Sequence, residues 1–244
     1  MSPAATAATA TRVLEQLRHD PRTVAMIIAV PTVLLVVLRY VFDGQVATFD
    51  RIAPPMLGLI PFVTMFIVTS VAMLRERTSG TLERLMSTPI RKLELLAGYA
   101  VAFGVMTLAQ VVVVATITLG PLGADSERPL GLVAIAVLSG LLGMTLGLFV
   151  SAFARSEFQA VQFMPMFVLP QFLICGLFVP RDRMAAVLEW ASYAAPLTYV
   201  YDAVERVASP GALGTAFWLD TAVLVGVLAL ALVLGSVTLR RRTD

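Results

Sequence analysis

The sequence predicts an all-α integral membrane protein with six transmembrane helices and both termini in the cytoplasm. Three observations carry this. Hydrophobic residues make up 58% of the 244 and charged residues only 14%, with a mean hydropathy of +0.86. That leaves too little polar surface to cover a soluble core, so lipid must be the solvent. Six apolar stretches are each long enough for a helix across the ~30 Å hydrocarbon layer. The basic residues fall unevenly on the segments between them, 12 against 6, and the richer set belongs in the cytoplasm.

Residues 1–22 read as a cytoplasmic tail and interfacial helix. The part up to about residue 11 is Ala/Thr-rich without periodicity and reads as a disordered tail. Val13, Leu14 and Leu17 then make a short apolar stripe flanked by Arg12, Arg18 and His19, which suits a helix lying on the membrane surface. His19 has no Cys or His at ligand spacing. The segment lacks the small-residue cleavage pattern of a signal peptide. The transmembrane domain covers 23–239, with spans at about 24–42, 52–74, 93–119, 130–153, 158–179 and 217–239, and 240–244 forms a cytoplasmic tail.

Pro31 should kink or loosen the first span, and Pro54, Pro55 and Pro61 crowd the second. In the fourth, Ser139, Gly143 and Gly147 recur every four residues, a pattern that lets two helices approach closely. Packing within one chain is favoured over dimerisation. The fifth is the most interrupted, with Gln159, Gln162, Gln171, Pro165 and Pro170. Residues 180–215 are too polar for a span and too apolar for a loop. Two short helices parted at Ala195-Pro196 fit them, the second carrying Leu197, Val200, Val204 and Val207 on one face. Trp190, Tyr193, Tyr199 and Tyr201 belong at a water–lipid boundary.

The chain is organised around 74–99, a polar segment between the second and third spans that holds Arg75, Arg77, Arg84, Arg91 and Lys92. Gly80 should end the preceding helix. Residues 81–87 then read as a short helix with Leu82, Leu85 and Met86 on one face and Glu83 and Arg84 elsewhere. Thr88, standing before Pro89, is pushed out of the α region and stops it. Two readings remain open for this helix: a linker in the headgroup layer, or a lever pushed by a cytoplasmic partner.

Several chemistries lack their residues. There is no G-x-x-x-x-G-K-[ST] phosphate loop, no H-E-x-x-H, no Cys/His ligand set and no G-x-S-x-G elbow. Cys175 is the only cysteine and reads as a small buried hydrophobe. Glu94 and Asp220 fall near span ends, so no acid sits at mid-membrane, where an ion-coupled transporter would need one. The chain by itself is expected to be no enzyme and to bind no cofactor or metal, and any energy must come from another polypeptide.

Two motifs carry a resemblance. Arg75-Glu76, Gly80-Thr81-Leu82-Glu83-Arg84-Leu85 and Ser87-Thr88-Pro89 form the first. Cys175-Gly176-Leu177-Phe178-Val179-Pro180, Trp190, Pro196-Leu197-Thr198-Tyr199 and Ala203 to Arg206 form the second. Together they resemble the ABC-2 type transporter permeases, which include daunorubicin/doxorubicin-resistance-type multidrug exporters and exporters of polysaccharides, teichoic acids and nodulation factors. The resemblance implies a cytoplasmic coupling helix between spans 2 and 3 that docks on an ATP-hydrolysing subunit. Glu76, Gly80, Thr81, Leu82, Glu83, Arg84, Leu85, Met86 and Pro89 would make that contact. It also implies a re-entrant pair of extracellular helices between spans 5 and 6.

The assembly implied is two permeases, identical or paralogous, with two ATPase subunits that bind ATP and magnesium. The setting implied is the lipid bilayer of a cell membrane, bacterial in origin, with no nucleic acid. Spans one, two and five would bound the route, with Thr64, Thr69, Gln162, Met166 and Gln171 as candidate lining. The same polar groups could instead bond helix to helix within one subunit. Phe163, Met164, Met166, Phe167 and Phe172 give walls that suit an amphipathic drug or lipid-like cargo. The alternatives are a polysaccharide or glycolipid exporter and, from a different class, a structural or regulatory membrane protein with no transport role.

Overall fold

A computed structural model describes residues 3–81, 84 and 92–238. Among them the chain forms helices α1 (Pro3–His19), α2 (Pro21–Val41), α3 (Val46–Thr78), α4 (Lys92–Leu119), α5 (Pro129–Val150), α6 (Glu157–Ile174), α7 (Ala186–Tyr193), α8 (Pro196–Ala208) and α9 (Thr215–Thr238), with no strand. Single 3-10 turns, Ser151–Phe153 and Arg181–Arg183, follow α5 and precede α7.

Among the described residues five helices are long and apolar enough to cross a membrane: α2, α3, α4, α5 with its 3-10 turn, and α9. At 33 residues, α3 is about 50 Å long and must project beyond the hydrocarbon. The expected fifth span is α6. Its 18 residues reach only about 27 Å, and Gln159, Gln162 and Gln171 interrupt its apolar run. The helix stops at Ile174 rather than near residue 179, and Gly176 turns the chain with φ +109°, a conformation open to glycine.

The long helix α3 is the centre of the bundle, and α5 lies directly against it. A Cβ at Gly143 would collide with the backbone of Phe62, and one at Gly147 with the backbone of Phe66 and the Thr69 hydroxyl. Thr69 donates its hydroxyl hydrogen bond within α3 to the Met65 carbonyl (2.7 Å) and across to that of Met144 (3.1 Å). The small-residue stripe of the fourth span is thus used inside one chain, as expected.

Residues 3–11 do not form a separate tail. They open α1, because a second close contact holds them: Thr9, Ala10 and Val13 are buried, and Gly98 of α4 leaves room for Thr9 and no more. The alanines that gave no periodicity are good helix formers with nothing to fray against. The helix is docked on α4 as well as amphipathic.

Beyond α6 the two expected short helices are α7 and α8, parted at Ala194–Ala195. Leu197, Val200, Ala203, Val204 and Val207 of α8 are fully buried, with Val204 over Gly58 of α3 and Val207 over Gly131 of α5. Ion pairs bind the outer side of this helix. Arg181 meets Asp202 at 2.6 Å, and Arg206 meets Asp220 of α9 at 3.0 Å. Asp220, placed near a span end by the sequence, is buried and paired.

Substituting Gly143 by Val is expected to lower stability by about 1–3 kcal/mol or more, the usual range for overpacking a close contact. A drop in melting temperature of the detergent-solubilised chain would register it. Gly226→Ala on α9, where nothing lies within 4 Å of the added Cβ, should leave the melting temperature unchanged.

Candidate functional site

The last turn of α3 is where the bundle is gathered. Successive residues of a helix point about 100° apart, so Arg75, Glu76 and Arg77 leave it in three directions. Each grips a different element. Arg75 donates from Nε and Nη2 to the two carboxylate oxygens of Glu157, at 2.8 and 3.0 Å. Glu157 lies in the first turn of α6, where the helix dipole favours an acid. Glu76 accepts through Oε1 from Arg12 Nη1 (3.0 Å) and Gln16 Nε2 (3.3 Å) of α1. Arg77 donates from Nη1 to the Ser151 carbonyl at the end of α5, at 2.6 Å.

The Glu76 branch continues. Arg12 Nη2 donates to the Tyr99 hydroxyl of α4 at 2.7 Å, so α1, α3 and α4 share one polar knot. The Arg12–Glu76 side chains are 27% and 11% exposed, against 60% and 53% for Arg75–Glu157. Screening by water leaves the second pair weak, whereas breaking the first strands a desolvated charge. The knot therefore holds α1 in place far more firmly than the bidentate pair holds α6.

The chain then breaks as expected. The Ser79 and Gly80 amides close the last turn on the Arg75 and Arg77 carbonyls, and Gly80 has φ +73°, the usual left-handed end of a helix. Beyond it the Gly80 carbonyl accepts from the Arg84 amide at 3.1 Å, and the Ser79 and Thr81 hydroxyls bond at 3.0 Å. Of the expected docking residues, Glu76, Gly80, Thr81 and Arg84 are thus brought to one end of α3. Leu82, Glu83, Leu85, Met86 and Pro89 lie outside the described residues.

The five expected lining residues do not converge. Thr64 is bonded inside the chain, receiving Gln110 Nε2 of α4 at 2.8 Å, and Thr69 is buried between α3 and α5. Both do the helix-bridging work that was the alternative reading. Gln162 and Met166 are exposed on α6. Gln171 lines a cavity of about 300 Å3 with Phe62, Phe66, Phe149 and Phe163. Its Nε2 is tied to the Phe167 carbonyl at 2.8 Å.

Arg12, Tyr99, Gln110 and Glu157 were not among the site residues expected from the sequence. A signal existed for the first: Glu76 is an acid in an otherwise basic run, and Arg12 borders the stripe of α1. Nothing local marks Tyr99. Among the described residues no cluster of His, Cys, Asp and Glu is arranged to hold a metal ion.

A family model described as ABC-2 type transporter matches residues 5–207. Among curated proteins, the chain is 26% identical over 210 residues to the "Probable multidrug ABC transporter permease YbhS" of Escherichia coli K12, covering 84% of this chain and 55% of that protein. It is 27% identical over 163 residues to "ABC transporter G family member 20" of Dictyostelium discoideum, covering 66% of this chain and 22% of that protein. Against the "Inner membrane transport permease YhhJ" of Escherichia coli K12 it is 27% identical over 164 residues, 64% of this chain and 43% of that protein. The chain spans about half or less of the length of these relatives.

Arg12→Ala and Glu76→Ala should each destabilise the chain by about 1.5–3 kcal/mol, the range for a hydrogen bond to a charged group. The double variant should lose little more than either one. Arg75→Ala should cost under about 1 kcal/mol. Thermal unfolding of the four variants beside the unchanged chain in one detergent measures these differences.

Proposed function

The chain belongs to the ABC-2 type transporter family, and from this we propose that it is the membrane-spanning permease of an ATP-driven exporter. In this reading α6 completes a set of six spans, both termini are cytoplasmic, and the chain sits in a bacterial plasma membrane. ATP, with magnesium, is hydrolysed by a separate subunit, present in two copies beside a pair of permeases that are identical or paralogous. The cargo is an amphipathic drug or lipid-like compound. The Escherichia coli relative's name, a multidrug permease, favours this cargo over a polysaccharide.

The observation that supports the reading best is the position of Arg75, Glu76 and Arg77. The segment opened by Gly80 is joined through one helical turn to α1, the end of α5 and the start of α6. A push on that segment by an ATPase reaches three helices at once. Leu82, Leu85 and Met86 would fill a groove on the ATPase, and Glu83 and Arg84 would orient it by ion pairs. The exposed face of α6, with Gln162 and Met166, would border the route between two permeases.

The test is export from inverted membrane vesicles that contain the chain and its co-purifying ATPase, with daunorubicin as the fluorescent probe. Leu82→Asp with Leu85→Asp should reduce ATP-dependent transport to background while insertion and melting temperature stay normal. Undiminished transport by that variant, or affinity purification that brings no ATP-hydrolysing subunit, would defeat the reading. The second result would favour a protein with no transport role.

A further inference from the structure

A cavity of about 460 Å3 lies between α1, α3 and α4, beside the Arg12–Glu76–Tyr99 knot. Its size falls within the range of small-molecule sites, and so does its make-up of apolar walls with a few polar groups at one end. Leu17, Ile67, Val68 and Phe103 are among the apolar walls; Asp20, Glu76 and Arg75 are its charged members.

Two arginines, Arg12 and Arg75, here face three carboxylates, those of Glu76, Glu157 and Asp20. Arg75 is taken up by both oxygens of Glu157. Glu76 has one oxygen on Arg12 and Gln16; its Oε2, near the Tyr99 hydroxyl, is buried short of a full hydrogen bond among the described residues, as is Arg12 Nε. An unpaired oxygen on a desolvated carboxylate is costly, and a donor supplied from outside relieves it. Asp20 adds a second negative charge at the same end. Its carboxyl is held below the usual carboxylate range by the Thr23 hydroxyl (2.6 Å) and amide (3.2 Å), so it stays ionised at neutral pH.

We propose that this cavity binds the protonated amine of an alkylammonium compound, with the amine against Glu76 and Asp20 and the chain along Ile67, Val68 and Phe103. The bound cation brings N–H donors to the unpaired Oε2 and offsets the excess negative charge. A quaternary ammonium supplies only the second effect and binds more weakly. An anionic head of the same chain length meets like charge. A phosphatidylethanolamine headgroup and a free drug amine share this chemistry. The inference deepens the exporter reading by naming a cargo class, but binding needs no ATPase, so either can fail without the other.

The test uses the full chain in phosphatidylcholine nanodiscs at pH 7, titrated with a fluorescent long-chain primary amine. Trimethylammonium and sulfonate analogues of equal chain length serve as comparisons. Saturable binding is expected for the amine, weaker binding for the trimethylammonium compound and none for the sulfonate. Ala72→Trp, which places an indole in the cavity, should abolish it. Asp20→Asn keeps the cap on α2 and leaves the Arg12–Glu76–Tyr99 contacts untouched. It should weaken binding severalfold, and it carries the test should Ala72→Trp fail to fold.

Equal affinity for amine and sulfonate would overturn the proposal, as would full binding by a folded Ala72→Trp or unchanged binding by Asp20→Asn. A repeat in nanodiscs containing phosphatidylethanolamine assigns the source. Competition by that lipid identifies a headgroup site, and undiminished amine binding identifies a drug-like ligand. Both outcomes support the cavity as an amine site.

Discussion

Everything in this bundle is referred to the backbone contact between α3 and α5. In lipid, apolar side chains gain nothing by leaving the solvent, so helices associate through close packing and a few hydrogen bonds. Gly143 and Gly147 remove the side chains that would hold the two helices apart, and Thr69 bonds across the seam thus opened. With α5 fixed, α8 finds its place over both helices through Gly58 and Gly131. The same device recurs at Gly98, where α1 closes on α4.

The polar contacts are placed at the ends of this apolar frame. At one end, Arg75, Glu76 and Arg77 divide among α6, α1 and the end of α5. The division follows from helical geometry, since three consecutive residues cannot face one neighbour. At the other end, Arg181–Asp202 and Arg206–Asp220 fasten α8 to the turn after α6 and to α9. Buried carboxylates are stable there only because each has an arginine within hydrogen-bond reach. The shaft of α3, stiff and longer than the bilayer is thick, joins the first of these ends to the rest of the frame.

Strength differs among the contacts, and in the exporter reading proposed above that difference would matter. The Arg12–Glu76–Tyr99 knot is half-buried and shared by three helices, so it resists displacement. Arg75–Glu157 is open to water on both sides and yields at little cost. A force arriving at Gly80 would therefore carry α1, α3 and α4 together and let α6 shift against them. The helix that can shift is also shorter than the five long apolar helices and is interrupted by Pro165 and Pro170.

Much of this was legible in the chain. Hydropathy alone placed the long helices, because solvation by lipid imposes an unbroken apolar run on any segment that crosses it. Proline and glycine marked the breaks at Gly80 and before Pro196, since their backbone limits are local. The four-residue spacing of Ser139, Gly143 and Gly147 announced a close contact, although not its partner. What the sequence could not supply was pairing at a distance. Thr64 with Gln110, Arg12 with Glu76 and Tyr99, and Arg206 with Asp220 join residues from separate helices, and no periodicity within one helix records which neighbour it faces. Thr64 and Thr69 looked like lining residues for that reason, and the alanine-rich start of α1 looked unstructured. Composition fixed the solvent and the lengths. Only packing, by bringing particular faces within bonding distance, decided which polar groups brace the bundle.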